Sequence, residues 1–478
     1  MLPTVVPRFS HRFAEPSRWL LLLLAGILIS LPFFTRHLGA GDALWYHHMM
    51  ADAVTQARAG VFPILVGQSE YAFNGAVYPL RVAPAYQYLG CAIDALTAHS
   101  LGFFTLEHAT VIVSFCAAAL AAYWSLLQLA PTRRGSAFAL SLLYLSCPGV
   151  VGLIYLQDLY MSMMALPWVP IALAGALRTF SKDDFKSHAM MSGGLAALWW
   201  AHAPIALWCL LAAAFLQMWR LIQLRAAASV VRHLALSGGV FLLLAAYPFV
   251  SVVSLRYPGE SVIASVVDRT VLLRQLSDAF PGSLLPLSGS LPLLSHLQLG
   301  YGLLAIALAM VFSAFRYPGL KALLPGLLFS AFLLLLLLPV PVLTPWFWLH
   351  FPATVVQLTH YWPMQRLYVV LAGLLVGMCQ LSPWTAGRTG VAILVASCSW
   401  SLVQAATFPR DAYAYATPTA EMAKWDRTEN VAIARFSYNQ FPRQPDYMSH
   451  GVMDPRLENR LLDPAGEKAI PSPAADFP

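Results

Sequence analysis

The chain has 478 residues, of which 59% are hydrophobic and only 11% charged, and its formal net charge is +7. A soluble domain of ordinary composition carries about 25% charged residues, so a water-facing surface cannot be built from this composition. The apolar residues also run in blocks about as long as the 17 to 25 residues that cross a bilayer. We therefore predict an all-α polytopic membrane protein and exclude a soluble one.

The first apolar block, from Trp19 to Phe34, follows a basic flank and leads into aromatic residues rather than a small-residue cleavage site. This pattern is typical of a retained signal anchor. A long outer loop follows at 35–101. Its last part, Pro84 to Leu101, opens with a proline and carries Asp94 and His99, so we expect an interfacial helix there rather than a crossing.

Further apolar blocks follow at 107–129, 136–155, 160–178, 188–201, 203–222, 233–253, 298–315, 322–341, 366–381 and 390–407. With the first block they predict about eleven crossings. A re-entrant pair broken at Ala201 to Pro204 would give the same topology.

Lys and Arg gather in the short loops between these blocks, for example in Arg178 to Lys186 and in Arg220 to Arg232. The positive-inside rule makes those loops and the N-terminus cytoplasmic, so the basic residues report orientation and not nucleic-acid binding. We expect a transmembrane domain at 1–407 and, after an odd number of crossings, an extracytoplasmic tail at 408–478. The six cysteines lie singly in apolar stretches, and neither a zinc pattern nor a nucleotide-binding loop is present.

The first outer loop holds the residues best suited to chemistry. Asp42 lies just beyond the first block and is followed by His47 and His48. From the residues alone, Asp42 either caps the following helix or acts on a substrate near the membrane surface. Adjacent histidines point to different faces of a helix, so at most one of them shares a site with Asp42, as an assisting group or as a ligand of a divalent ion with it. Asp52, Glu107 and Asp94 are expected to be charges on helix faces or at the interface.

Later polar residues face the same outer compartment in this topology. Asp158 is either a second carboxylate of the site or the cap of a helix that begins near Tyr160. His202 lies between two apolar blocks, where a lone histidine is either a hydrogen-bonded structural residue or a functional group at membrane depth. Tyr361 is either an interfacial anchor or a ring that stacks on a sugar.

Several short elements, taken in order, resemble GT-C glycosyltransferases. The similarity is greatest to a bacterial branch named 6-pyruvoyl-tetrahydropterin synthase-related membrane proteins, a name that implies no pterin chemistry. The elements that carry it are Asp42 with the following histidines, Gly60 to Pro63, Tyr78 to Tyr86, Gln157 to Tyr160, Leu166 to Trp168, Ala201-His202, His360 to Leu367 and Pro445 to Met448. The chain departs from the family pattern at Met364 and Gln365, where an aromatic-rich run is expected.

This resemblance implies a GT-C-like bundle whose long first outer loop contains interfacial helices. It also implies an enzyme of a bacterial inner membrane that works on the periplasmic side, with a sugar on a polyprenyl phosphate as donor and an envelope glycan, a lipid or a protein as acceptor. Asp42 then takes the acceptor's hydroxyl proton. Arg81 and Arg366 are candidates to grip the lipid phosphate through paired hydrogen bonds, although each is also the kind of arginine that snorkels to the interface. Tyr78, His202, Tyr361 and Gln365 complete the expected substrate-binding set.

Two other functions stay open. The number of spans suits a transporter or lipid-carrier flippase, but the polar residues gather in outer loops rather than at mid-span, which favours the enzyme. A non-catalytic GT-C-like scaffold would keep the fold without the chemistry. The transporter and the scaffold differ from the enzyme, because only the enzyme needs Asp42 for turnover.

Overall fold

A computed structural model describes the chain at residues 10–31, 43–64, 66–67, 76–77, 84–155, 160–225, 227–254, 300–316, 322–337, 346–347, 350 and 363–406. The described elements are helices, apart from one antiparallel pair of two-residue strands, β1 (Val66–Gly67) and β2 (Ala76–Val77). The helical architecture confirms the all-α prediction. The tail at 408–478 and the outer segment at 255–299 lie outside the described residues.

The first helices in chain order are α1 (Ser10–Ser30), α2 (Ala43–Arg58), α3 (Ala85–Leu96), α4 (Phe103–Leu129), α5 (Arg134–Ser146), α6 (Pro148–Tyr155), α7 (Tyr160–Ala165) and α8 (Trp168–Arg178). They are followed by α9 (Phe185–Ala201), α10 (Ala203–Gln223), α11 (Ala228–Ser254), α12 (Gly300–Arg316), α13 (Leu323–Leu337), α14 (Pro363–Leu381) and α15 (Arg388–Ala406), with a short 3-10 turn at Pro383–Ala386 between the last two. Each predicted apolar block thus contains a helix.

Prolines divide three of the apolar stretches. Pro148 opens α6 directly after α5, Pro167 precedes α8, and Pro204 lies in the first turn of α10. Proline suits the first turn of a helix, because the amide hydrogen that it lacks has no partner there. The blocks predicted at 136–155 and 160–178 are consequently pairs of helices rather than single ones.

Six apolar stretches in the described part of the chain are long enough to cross a membrane. They are Phe103–Leu129, Arg134–Leu153, Tyr160–Arg178, Ala203–Gln223, Ala228–Pro248 and Arg388–Ala406. Three shorter apolar helices lie at Gly300–Ser313, Leu323–Leu337 and Leu367–Leu381. The chain is therefore a membrane protein by the length and apolarity of its helices, while the number of about eleven crossings stays a prediction.

The helix in the Pro84 to Leu101 segment is short. Helix α3 has 12 residues, so it is about 18 Å long, against a hydrocarbon core about 30 Å thick. It packs on α2 and α4. Its length agrees with the expected interfacial helix.

Helix α8 lies at the centre of the bundle and packs against α4, α9, α10 and α14. Its contact with α9 is made by small residues. A Cβ atom added to Gly194 of α9 would lie 2.8 Å from the Cα of Ala172 of α8, and one added to Gly175 of α8 would overlap the backbone of Met191. Small residues let helix backbones approach closely in this way, which is a common packing device inside membranes.

Large apolar side chains on α11 face outward. Leu236 is 60% exposed, Leu243 78% and Tyr247 43%. A run of exposed large apolar residues along one long helix is unfavourable in water and suits a surface that contacts lipid.

Candidate active site at one end of the helix bundle

Three tyrosines from distant parts of the sequence pack together. The ring of Tyr46 on α2 lies 5.9 Å from that of Tyr86 on α3 and 5.5 Å from that of Tyr160 on α7, and the last two are 6.4 Å apart. All three are buried, with at most 4% exposed. These separations suit tilted aromatic contacts. The cluster brings together one tyrosine each from the first-loop, Tyr78 to Tyr86 and Gln157 to Tyr160 elements, and the first and last of these tyrosines are more than a hundred positions apart in the sequence.

Two carboxylates are buried on the helices α2 and α4. Asp52 of α2 and Glu107 of α4 are both 0% exposed. The amide Nε2 of Gln56 donates to Oδ2 of Asp52 over 2.8 Å. The prediction of charges on helix faces or at the interface did not include this complete burial. Burying carboxylates is costly and is found chiefly where they are paired or functional.

Glu107 also affects the neighbouring phenol. Burial is the main cause that raises the pKa of Tyr86 well above its ordinary value. The nearby Glu107 and Tyr46 raise it further. Tyr86 therefore stays a neutral hydroxyl over the physiological range, able to donate a hydrogen bond.

Two polar side chains on α3 are buried without a hydrogen-bond partner in the part of the chain that the structure describes. The Tyr86 hydroxyl is one, and the Gln87 side-chain amide, at both its oxygen and its nitrogen, is the other. Such groups are rare in folded proteins and cost about 1 to 3 kcal/mol each when they stay unsatisfied. Their hydrogen bonding is completed by water, by a ligand or by residues outside the described part of the chain.

His202, in the turn between α9 and α10, contacts α7 at this end of the bundle. Its Nδ1 accepts from the backbone amide of Ile205 at 3.4 Å, which places the ring proton on Nε2, directed to the Ser162 hydroxyl at 3.1 Å. The residue is 8% exposed and caps α10. The structural interpretation of His202 thus has direct support, while substrate binding by its ring stays a prediction. The contact also fixes α7, and with it Tyr160, against the α9–α10 turn.

The remaining predicted site residues are not placed as side chains. Asp42, Asp158, Tyr78, Arg81 and Tyr361 lie outside the described residues. The backbones of His47 and His48 belong to α2 and those of Gln365 and Arg366 to α14, with their side chains outside the described set.

Asp94 has a structural role. Arg58 donates from Nε and Nη2 to its two oxygens over 3.1 and 2.6 Å, and Nδ1 of His99 lies 2.6 Å from Oδ2. Burial alone would raise the pKa of Asp94, but the hydrogen bonds from Arg58 and His99 outweigh it and hold the pKa below its usual value. These contacts fasten the end of α3 to the end of α2.

The residues around Asp52 are a local signal of its burial. Asp52 is surrounded by Met49, Met50, Ala51, Ala53 and Val54, all 0% exposed. An acidic residue inside such an apolar run faces the interior at any helical phase.

Comparison with known proteins identifies no family for this chain. No protein-family model matches the sequence, and a search of curated proteins finds no match.

Proposed function

We propose that this chain is an integral membrane glycosyltransferase that transfers a sugar from a polyprenyl-phosphate donor to an envelope or lipid acceptor. The observation that carries the proposal is the contact among Tyr46, Tyr86 and Tyr160. It joins three of the elements on which the resemblance to GT-C enzymes depends. Ser162 and His202 attach a fourth.

The surroundings of the tyrosine cluster suit a sugar. The three rings are buried against one another, so a sugar would be recognised there by buried groups that hydrogen-bond its hydroxyls. The Tyr86 hydroxyl and the Gln87 amide supply two such groups with unused hydrogen-bonding capacity. A sugar hydroxyl bound there would remove the cost of leaving them unsatisfied.

The proposed base lies close to the cluster along the chain. Asp42 is four residues before Tyr46 and Asp158 two residues before Tyr160, so the covalent chain keeps their Cα atoms within about 15 and 8 Å of those tyrosines. In the proposed reaction Asp42 accepts the proton of the acceptor hydroxyl as its oxygen attacks the anomeric carbon. The bond from that carbon to the lipid phosphate breaks, and the phosphate leaves with the electron pair. Arg81 and Arg366 are proposed to bind the phosphate.

Turnover of a panel of polyprenyl-phosphate sugars by the purified full-length chain tests the proposal. We expect Asp42→Asn to abolish transfer while the protein keeps its thermal unfolding temperature. The matched control is Asp184→Asn, which removes a carboxylate that is paired with Arg178 at the far end of α9, and which should keep turnover. Full activity of Asp42→Asn would overturn the assignment of the base.

Tyr86→Phe is a second and independent variant. Since the hydroxyl has no partner in the described structure, its removal should leave stability unchanged or slightly higher. If the hydroxyl binds the sugar, turnover falls about 10-fold or more, as expected for one lost hydrogen bond to a substrate. Wild-type protein that moves the lipid-linked sugar across vesicles without cleaving it would instead support the transporter.

A further inference from the structure

A second cluster of ionisable residues lies at the other end of α9. Asp183 belongs to the loop between α8 and α9, His188 to the first turn of α9, and His233 to α11. Oδ1 of Asp183 lies 2.6 Å from Nε2 of His188, and Oδ2 lies 3.1 Å from Nδ1 of His233. One ligand atom from each residue can be chosen so that all three lie within 4.8 Å of one another.

The hydrogen bonds of Ser237 determine which nitrogen of His188 carries a proton. The Ser237 hydroxyl donates to the backbone carbonyl of His233 over 2.9 Å, so its proton is already used. With that bond formed, the hydroxyl oxygen accepts from Nδ1 of His188, which lies 2.7 Å away. In the neutral ring the lone pair of Nε2 then faces the carboxylate of Asp183. At 2.6 Å the two atoms are at hydrogen-bond distance, so a proton on Nε2 holds them in this geometry. An ion in place of that proton would separate them to about 3.3 Å, the spacing of two ligands on one tetrahedral ion.

We propose that Asp183, His188 and His233 bind a divalent transition-metal ion of the zinc class. Two imidazole nitrogens and one carboxylate oxygen are a frequent protein ligand set for such ions, and three ligands leave a further position for water. Asp183 and His233 are 26% and 32% exposed, so an ion can enter and its open position can be hydrated. The bond from His188 to Ser237 supplies the contact that usually orients a metal-bound imidazole.

Arg220 fits this arrangement. Its Nη2 lies 2.8 Å from Oδ2 of Asp183, and its side chain is 4% exposed. The guanidinium therefore fixes the carboxylate and leaves Oδ1 directed at His188. Hydrogen bonds of this type to a metal-binding carboxylate orient it towards the ion. An ion at this place would connect the α8–α9 loop, α9 and α11 directly, and α10 through Arg220.

The test uses the purified full-length chain in detergent, stripped with a chelator and then equilibrated with Zn²⁺. Elemental analysis after desalting should give one more ion per wild-type chain than per His188→Ala or His233→Ala chain. The comparison with variants separates this site from any ion held near Asp42. His99→Gln, a histidine that also contacts an aspartate but is not in the cluster, is the matched control and should keep the wild-type content.

Ser237→Ala sharpens the result, because it keeps all three ligands and removes only the bond that orients His188. We expect its Zn²⁺ affinity to fall about 10- to 100-fold. Equal Zn²⁺ content in the wild type and in the His188→Ala/His233→Ala double variant would overturn the proposal. If that variant does not fold, Co²⁺ added to the wild type decides: visible absorption bands of nitrogen and oxygen ligation support the site, and only the spectrum of hydrated Co²⁺ overturns it. Neither outcome depends on transferase activity.

Discussion

The two ends of α9 differ in how the polar groups around them find partners. At the end that holds Asp183 and Asp184, each acidic group has cationic partners: Asp183 contacts Arg220, and Asp184 accepts from Arg178 over 2.6 and 2.8 Å while capping the helix. At the other end, beyond His202, the Tyr86 hydroxyl and the Gln87 amide are buried without partners in the described structure. The ionic contacts of the first end hold helices together, whereas the unpaired groups of the second end need a partner from a ligand, from water or from outside the described residues.

The largest effect is expected from Gly194→Leu, which disturbs the packing of α9 between its two ends. The added atoms would meet the backbone of Ala172, which cannot move aside as a side chain can. We expect a loss of at least about 3 kcal/mol in the free energy of unfolding. Thermal unfolding in detergent measures it. The neighbouring Gly193 has open space around it, so Gly193→Leu is the matched control, and equal losses in the two variants would contradict the close packing of α8 and α9.

Asp183→Asn removes the ionic contacts of Asp183 at one end of α9 and leaves the other end unchanged. It leaves the buried Arg220 without its carboxylate, so in metal-free buffer we expect a loss of about 2 to 3 kcal/mol, less than for a fully buried pair because Asp183 is partly exposed. Lys182→Gln removes an exposed charge from the same loop and should change little. A loss no greater than that of the control would show that the network does not stabilise the fold.

The pH dependence of stability tests the Asp94 contacts near the other end. The pKa of Asp94 is lowered in the folded protein, so its contribution is present above the unfolded value of about 4 and is lost as the pH falls below that value. The stability difference between wild type and Asp94→Asn should therefore be present at pH 6 and shrink as the pH approaches 3. A difference that stays constant over this range would contradict the pairing with Arg58 and His99.

The smallest effect is expected from Ser162→Ala. The substitution removes one hydrogen bond to His202, which keeps its capping contact with Ile205. We expect a loss of about 1 kcal/mol. Ser141→Ala is the control, because that hydroxyl returns to a carbonyl of its own helix and should cost less. If Ser162→Ala lowers the free energy of unfolding no more than Ser141→Ala does, the hydrogen bond between α7 and the α9–α10 turn does not stabilise the fold.

Local sequence patterns predicted the helices well. The block at 203–222 became Ala203–Gln223 and that at 390–407 became Arg388–Ala406, because a span must satisfy its backbone within one continuous apolar helix. The division of two blocks into helix pairs was missed, although Pro148 and Pro167 mark both breaks. Arg133, in the short loop between α4 and α5, donates to the carbonyl oxygen of Gln380 at the end of α14 over 3.1 Å. That contact spans 247 positions and has no local signature.

By itself the sequence determined that the chain is built from membrane helices and which segments form them, since hydropathy and helix formation depend on neighbouring residues. Only the tertiary structure decided which polar side chains meet. It buried Asp52 and Glu107, gathered Tyr46, Tyr86 and Tyr160, and set Asp183 between two histidines from different helices. Such contacts depend on how helices cross and rotate against one another, which is set by packing across the whole bundle and by no pattern along the chain.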